Sequence, residues 1–297
     1  MVSLMKMVVN ICGVELKNPI IAASGTYNFR ESSAYYDPAA LGCITTKSVS
    51  MEPWQGNDPP KIAETFGGML NSIGLSNRGI DNYIDTELKQ LKDAGAVVMA
   101  SVVGKTEEEY AAVAGRLSET DADLIELNIS CPNVKQGGVS FGTDPKTVSR
   151  LVTGAKKAGG KKPVIVKLTP NVTDITEIAR AAVDGGADGL SLINTLRGMR
   201  IDTRTKEPVL KNGSGGLSGP AVLPVAVFMI WQVSHAVDVP VIGMGGVMTG
   251  EDAYELMLAG ADAVAVGTAA LIDPVAPVRI LGELTELLDL AKSPEKS

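Results

Sequence analysis

The feature that most constrains the fold is a short apolar run followed by an amphipathic stretch, repeated along the 297 residues. The runs are rich in Val and Ile and apolar throughout, which predicts strands buried on both faces. The predicted strands are Ile20–Ala23, Cys43–Lys47, Val97–Val103, Leu124–Asn128, Val164–Leu168, Gly189–Ile193, Val241–Met244 and Ala263–Val266. Eight such units favour an α/β fold, a (β/α)8 TIM barrel forming one domain over residues 1–297, with a doubly wound parallel sheet as the alternative.

Helix signals lie between these runs. Thr106 precedes three glutamates and Asp144 precedes Pro145, which are a cap residue followed by residues favoured in a first helical turn. The predicted helices are Thr106–Leu117, Asp144–Ala158, Thr173–Asp184, Thr249–Ala259 and Val275–Leu290. Two connections, Ser48–Gly79 and Leu196–Leu217, are long, and long ordered loops are usually functional.

Composition excludes several classes of protein. A net charge of −7 with 4% aromatic residues is not typical of a nucleic-acid binder. The longest apolar run, Ala221–Trp231, is too short to span a bilayer, and the first 13 residues do not resemble a signal peptide. The three cysteines, Cys12, Cys43 and Cys131, are far apart, so no metal site is predicted and a reducing, cytoplasmic location is expected.

Glycine turns follow the last two predicted strands, in the segments Val241–Gly250 and Ala263–Ala269. The loops after strands 7 and 8 are the usual phosphate site of a TIM barrel, because backbone N–H groups there bind anions. Met248 occupies the last glycine position of a GxGxxG pattern, so the dinucleotide fingerprint is absent. The sequence favours phosphate binding over glycines that serve only tight turns.

Other polar residues are predicted at the same rim of the barrel. Lys47 and Lys167 end buried strands, which is costly unless each lysine meets an anion. Four asparagines, which suit a heterocycle with amide-like edges, are predicted beside them: Asn71, Asn128, Asn133 and Asn194. Cys131 is a nucleophile, a base or an inert buried thiol. The single histidine, His235, is predicted at a helix end in a structural role.

Several of these motifs together resemble the dihydroorotate dehydrogenase family, in the family's order and over nearly the whole chain. They are Asn128-Ile-Ser-Cys-Pro-Asn133, Asn71-Ser-Ile-Gly-Leu75, Thr45-Thr-Lys47, Lys167-Leu-Thr-Pro170, Asn194-Thr-Leu-Arg-Gly-Met199 and the two glycine turns. Cysteine rather than serine at position 131 resembles the soluble class 1 enzymes. The segment from Asn194 to Met199 resembles the NAD-linked subclass, 1B.

The resemblance implies oxidation of dihydroorotate to orotate in the synthesis of pyrimidines. Cys131 would take the C5 proton while a hydride passes to FMN bound in this barrel. Electrons would then reach NAD through a partner subunit that carries FAD and a [2Fe–2S] cluster. Two barrels would dimerise, and each would bind one partner subunit, which gives a cytoplasmic heterotetramer.

The resemblance also assigns residues to the two ligands. Those assigned to the substrate are Lys47, Asn71, Ile73, Gly74, Leu75, Asn128, Asn133, Asn194 and Thr195. Those assigned to FMN are Ser24, Lys47, Ser48, Ser101, Asn128, Lys167, Ile193, Gly219, Gly245, Gly246, Gly267 and Thr268. Ser101 departs from the family, whose members often have asparagine there. Two alternatives are a dihydropyrimidine dehydrogenase-like barrel that reduces uracil and a barrel that binds a phosphate ligand without redox chemistry.

Overall fold

The computed structural model describes residues 7–129 and 141–290. Eight of its strands form a closed parallel barrel in the order β3-β4-β7-β8-β9-β10-β13-β14. In chain order the strands are β1 (Val9–Ile11), β2 (Val14–Leu16), β3 (Ile20–Ala22), β4 (Cys43–Thr45), β5 (Ile62–Thr65), β6 (Gly68–Asn71), β7 (Val98–Val102), β8 (Leu124–Asn128), β9 (Val164–Lys167), β10 (Gly189–Leu192), β11 (Leu196–Gly198), β12 (Gly215–Ser218), β13 (Val241–Met244) and β14 (Ala263–Val266).

The TIM barrel prediction is confirmed, and the doubly wound alternative is wrong, because the first and last barrel strands pair with each other. Val264 of β14 lies opposite Ile20 of β3, which closes the sheet. All eight predicted strands are present, and several end slightly earlier than predicted. Lys47 and Ile193, for example, follow the last paired residue of their strands and line the cavity at the rim.

Helices surround the barrel. They are α1 (Phe29–Ser32), α2 (Ile80–Tyr83), α3 (Lys89–Asp93), α4 (Glu107–Ser118), α5 (Pro145–Ala158), α6 (Ile175–Asp184), α7 (Leu223–Ser234), α8 (Gly250–Leu258), α9 (Thr268–Ile272) and α10 (Ala276–Leu290). The predicted N-caps are confirmed: Thr106 accepts a bond from Glu109 N, and Asp144 accepts one from Thr147 N at 2.8 Å. Within the described ranges, no helix has both the length and the apolar character needed to cross a membrane.

Two layers of apolar side chains hold the barrel together. The interior layer contains Met99, Ile165 and Ile242, and the β1–β2 hairpin contributes Ile11 and Leu16 to the same cluster. A larger layer lies between the strands and the surrounding helices. Burying each large aliphatic side chain contributes about 1.5–3 kcal/mol, so this core gives the rim a rigid support.

The two long connections form strands of their own, which the sequence did not predict. They pair as a four-stranded antiparallel sheet in the order β11-β12-β6-β5, here called the cap sheet. Its strands are short, and three of them, β6, β11 and β12, contain glycine, which lowers strand propensity. Close approach explains the glycines: a Cβ on Gly216 would lie 2.0 Å from Thr195 Oγ1, and one on Gly68 would lie 2.1 Å from Ser218 O.

Candidate functional site

A cavity of about 650 Å³ lies between the carboxyl ends of the barrel strands and the cap sheet. Its volume is within the range of small-molecule and cofactor sites, roughly 300–1,000 Å³. Most of the residues assigned from sequence line it, namely Ser24, Lys47, Ser48, Asn71, Ile73, Gly74, Leu75, Asn128, Lys167, Ile193, Asn194, Thr195, Gly219, Gly245, Gly246, Gly267 and Thr268. The structure therefore brings together residues that lie nearly 250 positions apart, from Ser24 to Thr268.

Three assigned residues remain, and the structure describes one of them, Ser101. Cys131 and Asn133 lie outside the described residues. Ser101 is in β7, wholly buried, and its hydroxyl bonds to Ser48 Oγ at 2.9 Å and to Glu126 Oε1 at 3.0 Å. The side chain of Ser101 thus reaches the cavity only through Ser48.

The glycine turn after β13 has a backbone conformation, with positive φ, that residues other than glycine rarely adopt. Gly245 and Gly246 have φ of 125° and 84°, and a Cβ on Gly246 would lie 2.6 Å from both Cβ and N of Leu223. Gly219 also has a positive φ, of 106°. Turns of this kind expose backbone N–H groups to the cavity and suit a phosphate group.

On the same side of the cavity, Thr268 Oγ1 donates to Ser218 Oγ at 2.9 Å. Ser218 ends β12, so this bond links the cap sheet to the turn after β14. The turn after β14 and the cap sheet are consequently held as one wall.

A buried cation forms another part of the wall. Lys167 ends β9, is 5% exposed, and donates from Nζ to Ser24 Oγ at 3.3 Å. Within residues 7–129 and 141–290, no carboxylate lies within ion-pair distance of this ammonium group. Because an uncompensated buried charge is costly, Lys167 favours a ligand that carries or develops negative charge.

Lys47 is held by a residue that the sequence did not single out. Glu87 lies in a π-helical turn, Ile84–Leu88, between α2 and α3, and it accepts a hydrogen bond from the Lys47 backbone N–H. Burial raises the pKa of Glu87 to about 7, although the Lys47 bond and charge lower it. No helix was predicted over these residues, and π turns often occur at functional sites.

Two asparagines of the rim are hydrogen-bonded to each other. Asn128 Nδ2 donates to Ser48 Oγ at 3.1 Å, and Asn194 Nδ2 donates to Asn128 Oδ1 at 3.3 Å. Asn194 Oδ1 accepts from the Thr195 backbone N–H at 2.8 Å. Asn71, at the end of β6, lines the same cavity from the cap sheet. Three of the four predicted asparagines therefore lie in one site.

Sequence reasoning missed Asn171, which also lines the cavity. Its Nδ2 donates to Thr195 O at 3.0 Å, and its Oδ1 accepts from Arg197 N at 2.8 Å. Asn171 thus ties the end of β9 to the start of β11. Its position directly after the motif Lys167–Pro170 was the available signal.

His235 does not line the cavity. It caps the C-terminus of α7, and its ring centroid lies 4.2 Å from that of Trp231. The prediction that His235 lies at a helix end is confirmed.

Comparisons with known proteins agree with this geometry. A sequence model of the family described as dihydroorotate dehydrogenase matches residues 6–288. A protein of Alkaliphilus metalliredigens (strain QYMF) is 56% identical over 276 residues, which cover 93% of this chain and 91% of that protein. A protein of Alkaliphilus oremlandii (strain OhILAs) is 52% identical over 282 residues, covering 95% and 93%. Each is named dihydroorotate dehydrogenase B (NAD(+)), catalytic subunit.

Proposed function

Since the chain belongs to the dihydroorotate dehydrogenase family, we propose that it oxidises dihydroorotate to orotate in pyrimidine biosynthesis. It would do so as the FMN-binding catalytic subunit of an NAD-linked enzyme. The observation that carries the proposal is that the rim asparagines, Lys47, Lys167 and the glycine turns all line the same cavity. Its chemistry suits a phosphorylated cofactor stacked with a heterocycle that bears amide-like edges.

The residues present fit FMN. The turn at Gly245 and Gly246, with Gly267 and Thr268, would hold the phosphate through backbone N–H groups. Lys167 would stabilise negative charge that develops on the ring. Ser24, Ser48, Ser101, Ile193 and Gly219 complete the proposed set, with Ser101 acting through Ser48. When bound, FMN supplies the acceptor for a hydride.

The substrate would lie against the asparagines. Asn71, Asn128, Asn194 and Thr195 would bind the ring, and the backbone of residues 73–75 would surround the carboxylate. Lys47 would lie between the substrate and the cofactor. An ordered set of amides would orient the ring for transfer of its C6 hydrogen.

Cys131 would act as the base and Asn133 as a further ring contact, as the resemblance implies. A thiolate at Cys131 takes the proton from C5 as the C6 hydrogen leaves with its electron pair, which gives the C5–C6 double bond of orotate. A free thiol has a pKa of about 8.5, so turnover should rise towards alkaline pH unless the site lowers that value.

The proposal includes partners. The two electrons taken from dihydroorotate would pass to NAD by way of a second subunit that carries FAD and a [2Fe–2S] cluster. Two barrels, each with one such subunit, would associate in a cytoplasmic heterotetramer. The names of the relatives, which contain the words "catalytic subunit", support a second subunit for those proteins.

An anaerobic half-reaction tests the proposal. The purified chain is reconstituted with FMN, dihydroorotate is added, and the flavin absorbance is followed. We expect bleaching with dihydroorotate and none with dihydrouracil. Bound flavin that stays oxidised would refute the substrate, and a chain that rejects FMN would favour the non-redox phosphate-binding barrel.

Variants of two cysteines test the base. Cys131→Ala should retain FMN and lose most of the bleaching rate. Cys12→Ser is the matched control, because that thiol lies on the β1–β2 hairpin and donates to Asp188 O, outside the cavity. Equal rates in the Cys131 variant and the wild type would exclude Cys131 as the base.

A further inference from the structure

A buried carboxylate within the barrel has no role in the proposed function. Glu126 is in β8 and is 0% exposed. Its Oε1 accepts from Ser101 Oγ and its Oε2 accepts from Ser191 Oγ, both at 3.0 Å. Burying a carboxylate is costly, and two serine hydroxyls, one from β7 and one from β10, offset only part of that cost. A buried carboxylate inside the barrel therefore needs a functional explanation.

Hydrogen bonds connect Glu126 to the floor of the cavity. Ser101 Oγ lies 2.9 Å from Ser48 Oγ, and Ser48 Oγ accepts from Asn128 Nδ2 at 3.1 Å. Asn128 Oδ1 in turn accepts from Asn194 Nδ2 at 3.3 Å. Ser48 and Asn128 are themselves 3% and 6% exposed. This series of hydrogen bonds, here called the hydrogen-bond chain, therefore runs through a region from which water is largely excluded. Hydrogen bonds are stronger in such a low-dielectric region than in water.

The Glu126 carboxylate fixes which group donates and which accepts in every bond of this hydrogen-bond chain. Its oxygens only accept, so the Ser101 proton points to Glu126. Ser101 can then only accept from Ser48, whose single proton is used in that bond. Ser48 must accept from the next residue, so the NH2 group of Asn128 faces Ser48 and its oxygen faces Asn194.

We propose that Glu126 is a positioning residue that sets the amide orientation of Asn128, and with it the pattern of donors and acceptors that the cavity presents to a heterocycle. The identity of that heterocycle as orotate rests on the proposed function. The way in which Glu126 orients the Asn128 amide does not rest on the proposed function, because it depends only on hydrogen bonds within the protein. A flipped Asn128 amide would exchange a donor for an acceptor against the ring and mismatch buried hydrogen bonds.

Two serines provide a matched pair of variants. Ser101→Ala removes one hydroxyl from Glu126 and breaks the chain to Asn128. Ser191→Ala removes the equivalent hydroxyl from the other carboxylate oxygen and leaves that chain intact. Both leave a carboxylate oxygen without its serine, so they control for the general cost of disturbing the barrel interior.

The first measurement is the affinity for orotate of the FMN-loaded full chain, from the change in flavin absorbance on titration. We expect about tenfold weaker binding in Ser101→Ala, the scale of one mismatched buried hydrogen bond, and less than about twofold in Ser191→Ala. Equal weakening in the two variants, or no weakening in Ser101→Ala, would overturn the proposal.

The second measurement needs no ligand and uses the side-chain amide resonances of Asn128, assigned by their loss in Asn128→Asp. They should shift in Ser101→Ala and stay in place in Ser191→Ala. Glu126→Gln keeps the shape, but its amide can accept from or donate to Ser101, so the Asn128 signals should double or broaden. Unchanged signals in Glu126→Gln and Ser101→Ala would exclude the role of Glu126. Wild-type chain that fails to bind orotate would refute only the proposed function.

Discussion

Glu87 should make the stability of the protein depend on pH in a way that one substitution removes. Its pKa is raised from an ordinary value of 4.5 to about 7, chiefly because the carboxyl is buried beside the Lys47 backbone. Between these two values the folded chain holds a proton that the unfolded chain has released. The free energy of unfolding therefore falls as the pH rises through this window.

The magnitude follows from the size of the shift. At about 1.4 kcal/mol per pKa unit, ionising Glu87 in the folded state costs about 3 kcal/mol once the pH is well above 7. Glu87→Gln keeps an oxygen that accepts from the Lys47 N–H and never ionises. The advantage of the variant over the wild type should grow by about 2 kcal/mol between pH 5.5 and pH 8.5.

Urea unfolding of both chains at a series of pH values measures this difference. Asp85→Asn is the matched control, because Asp85 is an exposed carboxylate in the same π-helical turn, Ile84–Leu88. A difference between wild type and Glu87→Gln that stays constant with pH would refute the reasoning. So would an equal pH dependence for the Asp85 control.

Two further predictions concern the proposed cofactor site. Gly246 has a φ of 84°, and a Cβ at this position would lie 2.6 Å from Leu223. Gly246→Ala should therefore weaken FMN binding at least about tenfold, as measured by flavin fluorescence. Gly95→Ala is its control, since Gly95 also has a positive φ of 75° but open space around it, and equal losses would contradict the argument. Lys167→Met should slow flavin bleaching by dihydroorotate at least about tenfold, because the buried ammonium group is lost. Lys161→Met is the control and should leave the rate unchanged, since Lys161 is exposed. An unchanged rate in Lys167→Met would exclude charge stabilisation by that lysine.

Local signals in the sequence were sufficient to predict the barrel. Continuous Val- and Ile-rich runs identified every barrel strand, since burial on both faces leaves no polar alternation. Caps such as Thr106 and Asp144 marked helix starts within a few residues, because capping depends on neighbours one turn away. Once the barrel was predicted, the carboxyl ends of its strands followed as the place for the site.

Residues far apart in the chain decided the rest. The cap sheet pairs Asn71 with Gly216, and strands this short and glycine-rich are stable only through that pairing. The same holds for Ser101, whose assignment to FMN by family resemblance did not show that Ser48 separates it from the cavity.

The sequence alone determined the eight strands, the caps and the glycine turns, because hydrophobic pattern, capping and positive φ are properties of a few consecutive residues. Only the tertiary structure decided that Glu126 of β8 bonds to serines of β7 and β10, and that Glu87 reaches the Lys47 backbone. Burial and hydrogen-bond partners of this kind depend on closure of the barrel, which brings distant side chains into one low-dielectric interior.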